Sequence, residues 1–257
     1  MGMRWFAFIF GSLLVPMALF SQSPLKNAVQ LLTYRVAAGS GTNACAVAYN
    51  PADGLYYTAF AGNPSYPLEA FDANGKTRYS GEIGTDIRSL WYNEKHHTLE
   101  GLGYPMRNRF TVTLNASGEP TGLKPPTRDV PSIPNTQSVA FNAGKPGLLF
   151  FDGRTVYRLK PSNLKLRERI LLKGIPGDRA NLNFTSMAYT GVKGYELAFY
   201  EPSEANVYYT DLKGNHTGTT RIPGRAPDAG MFRFSYANRL LWLYDVDERT
   251  WHGYRVF

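Results

Sequence analysis

Cysteine is almost missing from this chain: Cys45 is the single one in 257 residues, so no intramolecular disulfide can brace the fold. Stability must therefore come from a sizeable apolar core. Cys45 sits inside the apolar run Ala44 to Ala48, which fits burial as a small hydrophobe better than service as a nucleophile. Helical periodicity is missing too. After the first 21 residues, no stretch repeats its apolar residues at helical spacing between caps. Histidine is scarce, with four in all, and no His-x-x-x-His, His-x-His or Cys/His spacing points to zinc. His96 and His97 fall in a lysine-flanked turn, and His216 and His252 follow turns or lie in late strands. A glycine-rich phosphate loop and a Gly-x-Ser-x-Gly elbow are both absent.

Long hydrophobic runs are confined to the start of the chain. Arg4 followed by the apolar stretch Trp5 to Phe20 and the small Ser21 reads as a secretory signal over residues 1–21. The stretch is short for a spanning helix of roughly 20 residues. The reading implies a secreted or periplasmic mature chain from about Gln22, with no transmembrane anchor once the signal is removed. The formal net charge of +8 falls to +7 with the loss of Arg4, which favours loose association with anionic surfaces. Much of that charge lies in Arg154, Arg158, Lys160, Lys165, Arg167, Arg169 and Lys173. Residues 164–172 partly alternate apolar and charged side chains, as an outer strand protected against edge pairing would. Nucleic acid is not an expected partner behind a secretory signal.

What is present is a repeat. A short apolar strand ending in an aromatic residue recurs at Tyr49, Tyr92, Phe141, Tyr189 and Tyr236, with spacings of 43, 49, 48 and 47 residues. A turn follows most anchors: Asp72 to Lys76, Asn115 to Glu119, a weaker Lys160 to Asn163, and Asp211 to Asn215. Each repeat has room for four short strands. In the first these are Cys45 to Tyr49, Gly54 to Phe60, Pro67 to Asp72 and Lys76 to Glu82. Four-stranded units repeated around an axis predict an all-β, five-bladed β-propeller forming one domain over 22–257, as a monomer. The expected blades lie near 43–84, 85–130, 135–180, 182–225 and 229–257. The last blade has room for only three strands, so a strand at 29–36 is expected to complete it and close the ring.

The hairpin Phe71-Asp72-Ala73-Asn74-Gly75-Lys76 and the Ala48-Tyr49-Asn50 strand end resemble those of secreted propellers with NHL-like, YVTN-like or gluconolactonase-like repeats. That resemblance implies the propeller architecture over nearly all of the mature chain. Members of this broad class include lactonases, lyases, glycan binders and interaction scaffolds, so it names no activity.

Residues just before each blade's first strand meet at one mouth of a propeller's channel. Six positions before each anchor stand Asn43, Asp86, Asn135, Asn183 and Gly230, four of them Asx residues. They either cap their own turns or converge as a ring of oxygens for a polar ligand or cation, with calcium the suited ion. A gluconolactonase-like metal site would include a glutamate, and this register has none. Two positions later come Cys45, Arg88, Gln137, Thr185 and Phe232. Arg88 pairs with Asp86 or holds a ligand carboxylate or phosphate. Glycosidase chemistry needs two carboxylates, and this register offers Asp86, with Asp228 nearby. Loop aromatics suited to sugar stacking are Tyr66, Tyr104 and Tyr200. The inserts Pro120 to Asn135 and Gly174 to Leu182 are further places for recognition.

The expected function is a non-enzymatic module that binds a protein, a small polar ligand or a glycan through Asn43, Asp86, Arg88, Asn135, Gln137 and Asn183, with no catalytic residue assigned. The alternatives are a divalent-cation-dependent lactonase or lyase at the same mouth, and a glycan-binding or glycan-hydrolysing propeller.

Overall fold

Apolar runs cut by turn residues every five to eight positions favour short antiparallel strands joined by hairpins. The computed structural model describes residues 23–39, 41, 43–104, 108–124, 140–142, 147–153, 155–160, 163, 165–176, 187–224, 227 and 233–257. These contain strands and no helix. Strand β1 (Val29–Arg35) precedes blade 1, which comprises β2 (Asn43–Asn50), β3 (Leu55–Ala61), β4 (Pro67–Phe71) and β5 (Thr77–Glu82). Blade 2 holds β6 (Ile87–Asn93), β7 (Thr98–Gly103), β8 (Asn108–Leu114) and β9 (Pro120–Lys124). Blade 3 holds β10 (Ala140–Asn142), β11 (Leu148–Phe151), β12 (Thr155–Leu159) and β13 (Leu166–Leu171). Blade 4 holds β14 (Met187–Tyr189), β15 (Leu197–Glu201), β16 (Asn206–Thr210) and β17 (His216–Arg221). Blade 5 holds β18 (Phe234–Ala237), β19 (Leu240–Asp245) and β20 (Thr250–Arg255), with β1 beside β20 as the fourth strand of its sheet. The architecture is the five-bladed β-propeller that the repeat predicts.

Burial follows position within a blade. Middle strands have neighbours over both faces, so β3 (Leu-Tyr-Tyr-Thr-Ala-Phe-Ala) is buried at every residue. The outer strand β5 alternates half-buried and exposed positions, because one of its faces meets water. Apolar clusters cross all five seams. Leu68 packs with Leu99 and Phe110 between blades 1 and 2, and Trp91 and Leu102 pack with Phe150 between blades 2 and 3. Phe151 meets Phe199 between blades 3 and 4, Tyr200 stacks on Phe234 between 4 and 5, and Trp242 meets Tyr56 and Phe71 between 5 and 1. Cys45 is fully buried in the first of these seams.

The N-terminal segment touches three blades. Leu25 and Ala28 bond through their backbone amides to Val256 and Arg221 at 2.8 Å each, and Arg221 N–H donates to Lys26 O at 3.0 Å. β1 then pairs antiparallel with β20 from Val29↔Arg255 to Arg35↔Thr250. Tyr34 reaches blade 1, stacking on Phe71 at 3.9 Å and donating its hydroxyl to the buried Glu69 at 2.7 Å. Glu69 also accepts from the backbone amides of Ala37 at 3.2 Å and Ala38 at 2.6 Å. Gly75 closes the β4–β5 turn at φ 72°, and a side-chain carbon there would collide with the Thr33 carbonyl of β1.

Glu100 on β7 is a buried carboxylate of blade 2. Burial alone would raise its pKa, but hydrogen bonds from Arg109 at 2.5 Å, Asn93 at 2.6 Å and Trp91 at 3.3 Å outweigh that and hold it below its ordinary 4.5.

Removing residues 23–38 is expected to lower the melting temperature by roughly 10 °C or more, since each kcal/mol lost shifts a chain of this size by about 2–4 °C. An unchanged calorimetric midpoint would show that β1 contributes nothing. For Glu100, the unfolded chain takes up the proton first as pH falls. Its stabilisation is therefore complete above the ordinary carboxylate range and fades as pH drops through the lower folded value. Glu100→Gln should flatten the loss of urea midpoint between about pH 6 and pH 3 relative to the parent chain.

Candidate functional site

The mouth is built where the inner strands begin. β6 pairs with β7 in a register that shifts between Ile87 and Ser89, so Arg88 is the extra residue of a β-bulge. The bulge turns its side chain away from the regular alternation. The Arg88 guanidinium donates from Nη2 to Asp86 Oδ2 at 2.7 Å and lies 4.9 Å from the centre of the Tyr104 ring. Both members of the ion pair are largely buried, with 15% and 10% of their side chains exposed, whereas Tyr104 is 55% exposed. The pair thus stands at the edge of water with an aromatic face beside it.

Asp86 also reaches the neighbouring blade. Its Oδ1 accepts the Gly62 amide at 2.8 Å, just past the end of β3, while its backbone carbonyl accepts the Tyr104 amide at 2.8 Å. Asn43 opens β2 opposite Ala61, and its Oδ1 accepts from Arg233 Nη2 at 3.1 Å. Among the described residues, neither Asx side chain caps the turn of its own strand. Each ties one blade to the next, Asn43 to blade 5 and Asp86 to blade 1. Asn43, Asp86 and Arg88 therefore gather around the Ala61–Gly62 strand end, while Asn135, Gln137 and Asn183 lie outside the described residues, as do Thr185, Asp228, Gly230 and Phe232.

Arg233 is the mouth residue that the Asx register misses. Three positions before the anchors stand Ala46, Ser89, Ser138, Ser186 and Arg233, so a single arginine among small residues marks it in the sequence. The neighbouring Ser235 joins the same seam, its hydroxyl exchanging hydrogen bonds with Val47 N–H and C=O at 3.0 Å each. Val47 follows the bulge at Ala46, which has φ 52°.

Cys45 lies beneath the mouth, its thiol 3.1 Å from the Ile87 carbonyl. Burial pushes its pKa strongly up, Arg88 pulls it down less, and Asp86 adds a smaller rise.

One expectation about loops changes. Tyr200 is not a surface aromatic: it is fully buried on β15, its hydroxyl donating to Pro227 O at 2.9 Å. A five-residue apolar strand buried on both faces reads like a loop edge when only its last residues are seen. A cavity of about 410 Å³ lies away from the mouth, lined by Asp53, Leu55, Asp72, Arg78, Ser117 and Glu119 among the turns of blades 1 and 2. Its acids are occupied by turn chemistry. Asp72 pairs with Arg78 at 2.7 Å, Glu119 accepts from Asn115 at 2.9 Å, and Asp53 accepts from Asn50.

No protein-family model matches this chain, and no curated protein matches it. Solved structures do. A glutaminyl cyclase from Myxococcus xanthus is similar at TM-score 0.56 and 12% identity, over 89% of this chain and 96% of that one. A Bacteroides caccae protein of unknown function reaches TM-score 0.41 at 12% identity, over 79% and 70%. The β-propeller domain of Cps50 (Swd1) from Myceliophteria thermophila reaches 0.44 at 11% identity, over 84% and 83%. At such identities the cyclase likeness speaks for the fold alone.

The buried thiol yields a direct test. In the folded chain at pH 8, Cys45 should resist a thiol-titrating reagent, and one thiol per chain should appear once the protein is denatured. Rapid labelling of the native chain would place Cys45 in a different environment.

Proposed function

We propose that this chain is a secreted or periplasmic β-propeller, of the NHL, YVTN or gluconolactonase-like kind its hairpins resemble, that acts as a non-enzymatic binding module with its ligand at the channel mouth. The observation that carries the reading is the bulged Arg88, held by Asp86 against the exposed face of Tyr104. With Arg233, the described part of the mouth brings two guanidinium groups and one carboxylate together. Guanidinium groups presented at strand ends favour an anionic group over a cation such as calcium. The chemistry fits a small ligand, glycan or peptide that presents a carboxylate or phosphate to the arginines and a flat face to Tyr104.

A second reading, an enzyme on the same ring, draws on the likeness to a glutaminyl cyclase. Against it, the one carboxylate of the described mouth is held by Arg88 and the Gly62 amide. That leaves it poorly placed to accept a substrate proton.

Calorimetric titration with a uronic-acid disaccharide, a short peptide with a free carboxyl terminus and calcium chloride separates these readings. At least one anionic probe should bind, with Arg88→Ala and Tyr104→Ala each weakening it by about tenfold, the size of one lost charge-assisted contact. Calcium should not bind at millimolar concentration. If both variants keep every measured affinity, the mouth is not the site. Conversion of a glutaminyl peptide that Asp86→Ala abolishes would favour the enzyme.

A further inference from the structure

A second cluster of polar groups lies at the outer part of blade 5, apart from the mouth residues. In the β19–β20 ladder Asp245 faces Thr250 and Leu243 faces His252, so the strict alternation of strands puts Asp245 and His252 on one face of the blade. Glu248 stands in the turn between the two strands, its amide donating to Asp245 Oδ1 at 3.0 Å. One potential ligand atom from each of the three residues lies within 4.8 Å of the others. They line a cavity of about 230 Å³ at the seam between blades 4 and 5, with Gln30 of β1 and Pro223 and Gly224 of the blade 4–5 connection. Asp247 lines it too, and among the described residues no lysine or arginine does.

His252 supplies the second observation. Its Nδ1 is buried and has no partner among the described residues, and its Nε2 stands 3.6 Å from Glu248 Oε2, beyond a normal hydrogen bond. The Nε2 edge thus faces a carboxylate without a hydrogen bond, which leaves that nitrogen available to a cation shared with the carboxylates. We propose that Asp245, Glu248 and His252 bind a divalent transition-metal ion of the zinc class. Ligand atoms about 2.0–2.1 Å from one zinc ion stand roughly 3.3 Å apart in tetrahedral geometry. The His252–Glu248 separation is already near that value, and Glu248, with 66% of its side chain exposed, is free to adjust. The imidazole selects zinc over calcium, which prefers oxygen alone. Because the three ligands come from β19, the turn and β20, and because β1 pairs along β20, the ion would clamp the blade to which the N-terminal segment is joined.

The test is calorimetric titration of the mature chain, free of any histidine tag, with zinc chloride and calcium chloride. One zinc ion per chain should bind at micromolar concentration and raise the melting temperature. His252→Ala and Glu248→Gln should each weaken it by at least about tenfold. His97→Ala, in an exposed turn, should leave zinc binding intact. Glu248→Gln lies in an exposed turn and keeps the test valid if His252→Ala fails to fold. No zinc binding at millimolar concentration, stoichiometric binding that survives both variants, or equal uptake of calcium would each overturn the site. These results are independent of any ligand at the mouth.

Discussion

The pairing of β1 with β20 joins segments more than 200 residues apart within one sheet, a constraint that the other four sheets do not carry. Every other blade is made from consecutive hairpins, whose partners are held close by short turns. Blade 5 must recruit a strand from more than 200 residues away, at a larger entropic cost, and that cost has to be offset by specific contacts. The segment from Leu25 to Ala38 provides them on three blades: backbone bonds to Arg221, the ladder with β20, and the Tyr34–Phe71–Glu69 contact in blade 1. A carboxylate buried as Glu69 is tolerable only because a hydroxyl and two backbone amides satisfy it. Once ordered, it makes slippage of β1 costly, since any shift strips those bonds in an apolar seam.

The same logic shapes the mouth. Inner strands converge near the axis, where side chains have little room, and the bulges at Ala46 and Arg88 change which way residues point. In blade 1 the bulge is followed by a residue that bonds to Ser235 of blade 5. In blade 2 it places a guanidinium between Asp86 and Tyr104. Polar groups that would be unsatisfied at the end of a regular strand become links between blades.

The fold was legible because its signals are local and repeated. Strand ends such as Ala48-Tyr49-Asn50 and turns such as Asp72 to Lys76 occur often enough that their spacing reports the blade, even though each is weak alone. Asn43, Asp86 and Arg88 were legible as residues at the starts of inner strands because the anchors act as a ruler. Their partners were not. Asp86 bonds to Gly62 rather than to its own turn, and Asn43 to Arg233, across separations that no local pattern records. Tyr200 misled for the opposite reason: its neighbours Glu201 and Pro202 look like a loop, while burial on both faces of β15 comes from the adjacent blades.

The sequence alone determined the strand content and the repeat, because hydrophobic alternation and turn residues act over a few positions, and the five sheets of the tertiary structure fixed the number of blades. The tertiary structure decided which charges meet. It tied Asn43 to Arg233 and Asp86 to Arg88, and it brought Asp245, Glu248 and His252 to one cavity. Such meetings depend on bulges, seam packing and the angle between blades, which arise only when the ring is assembled.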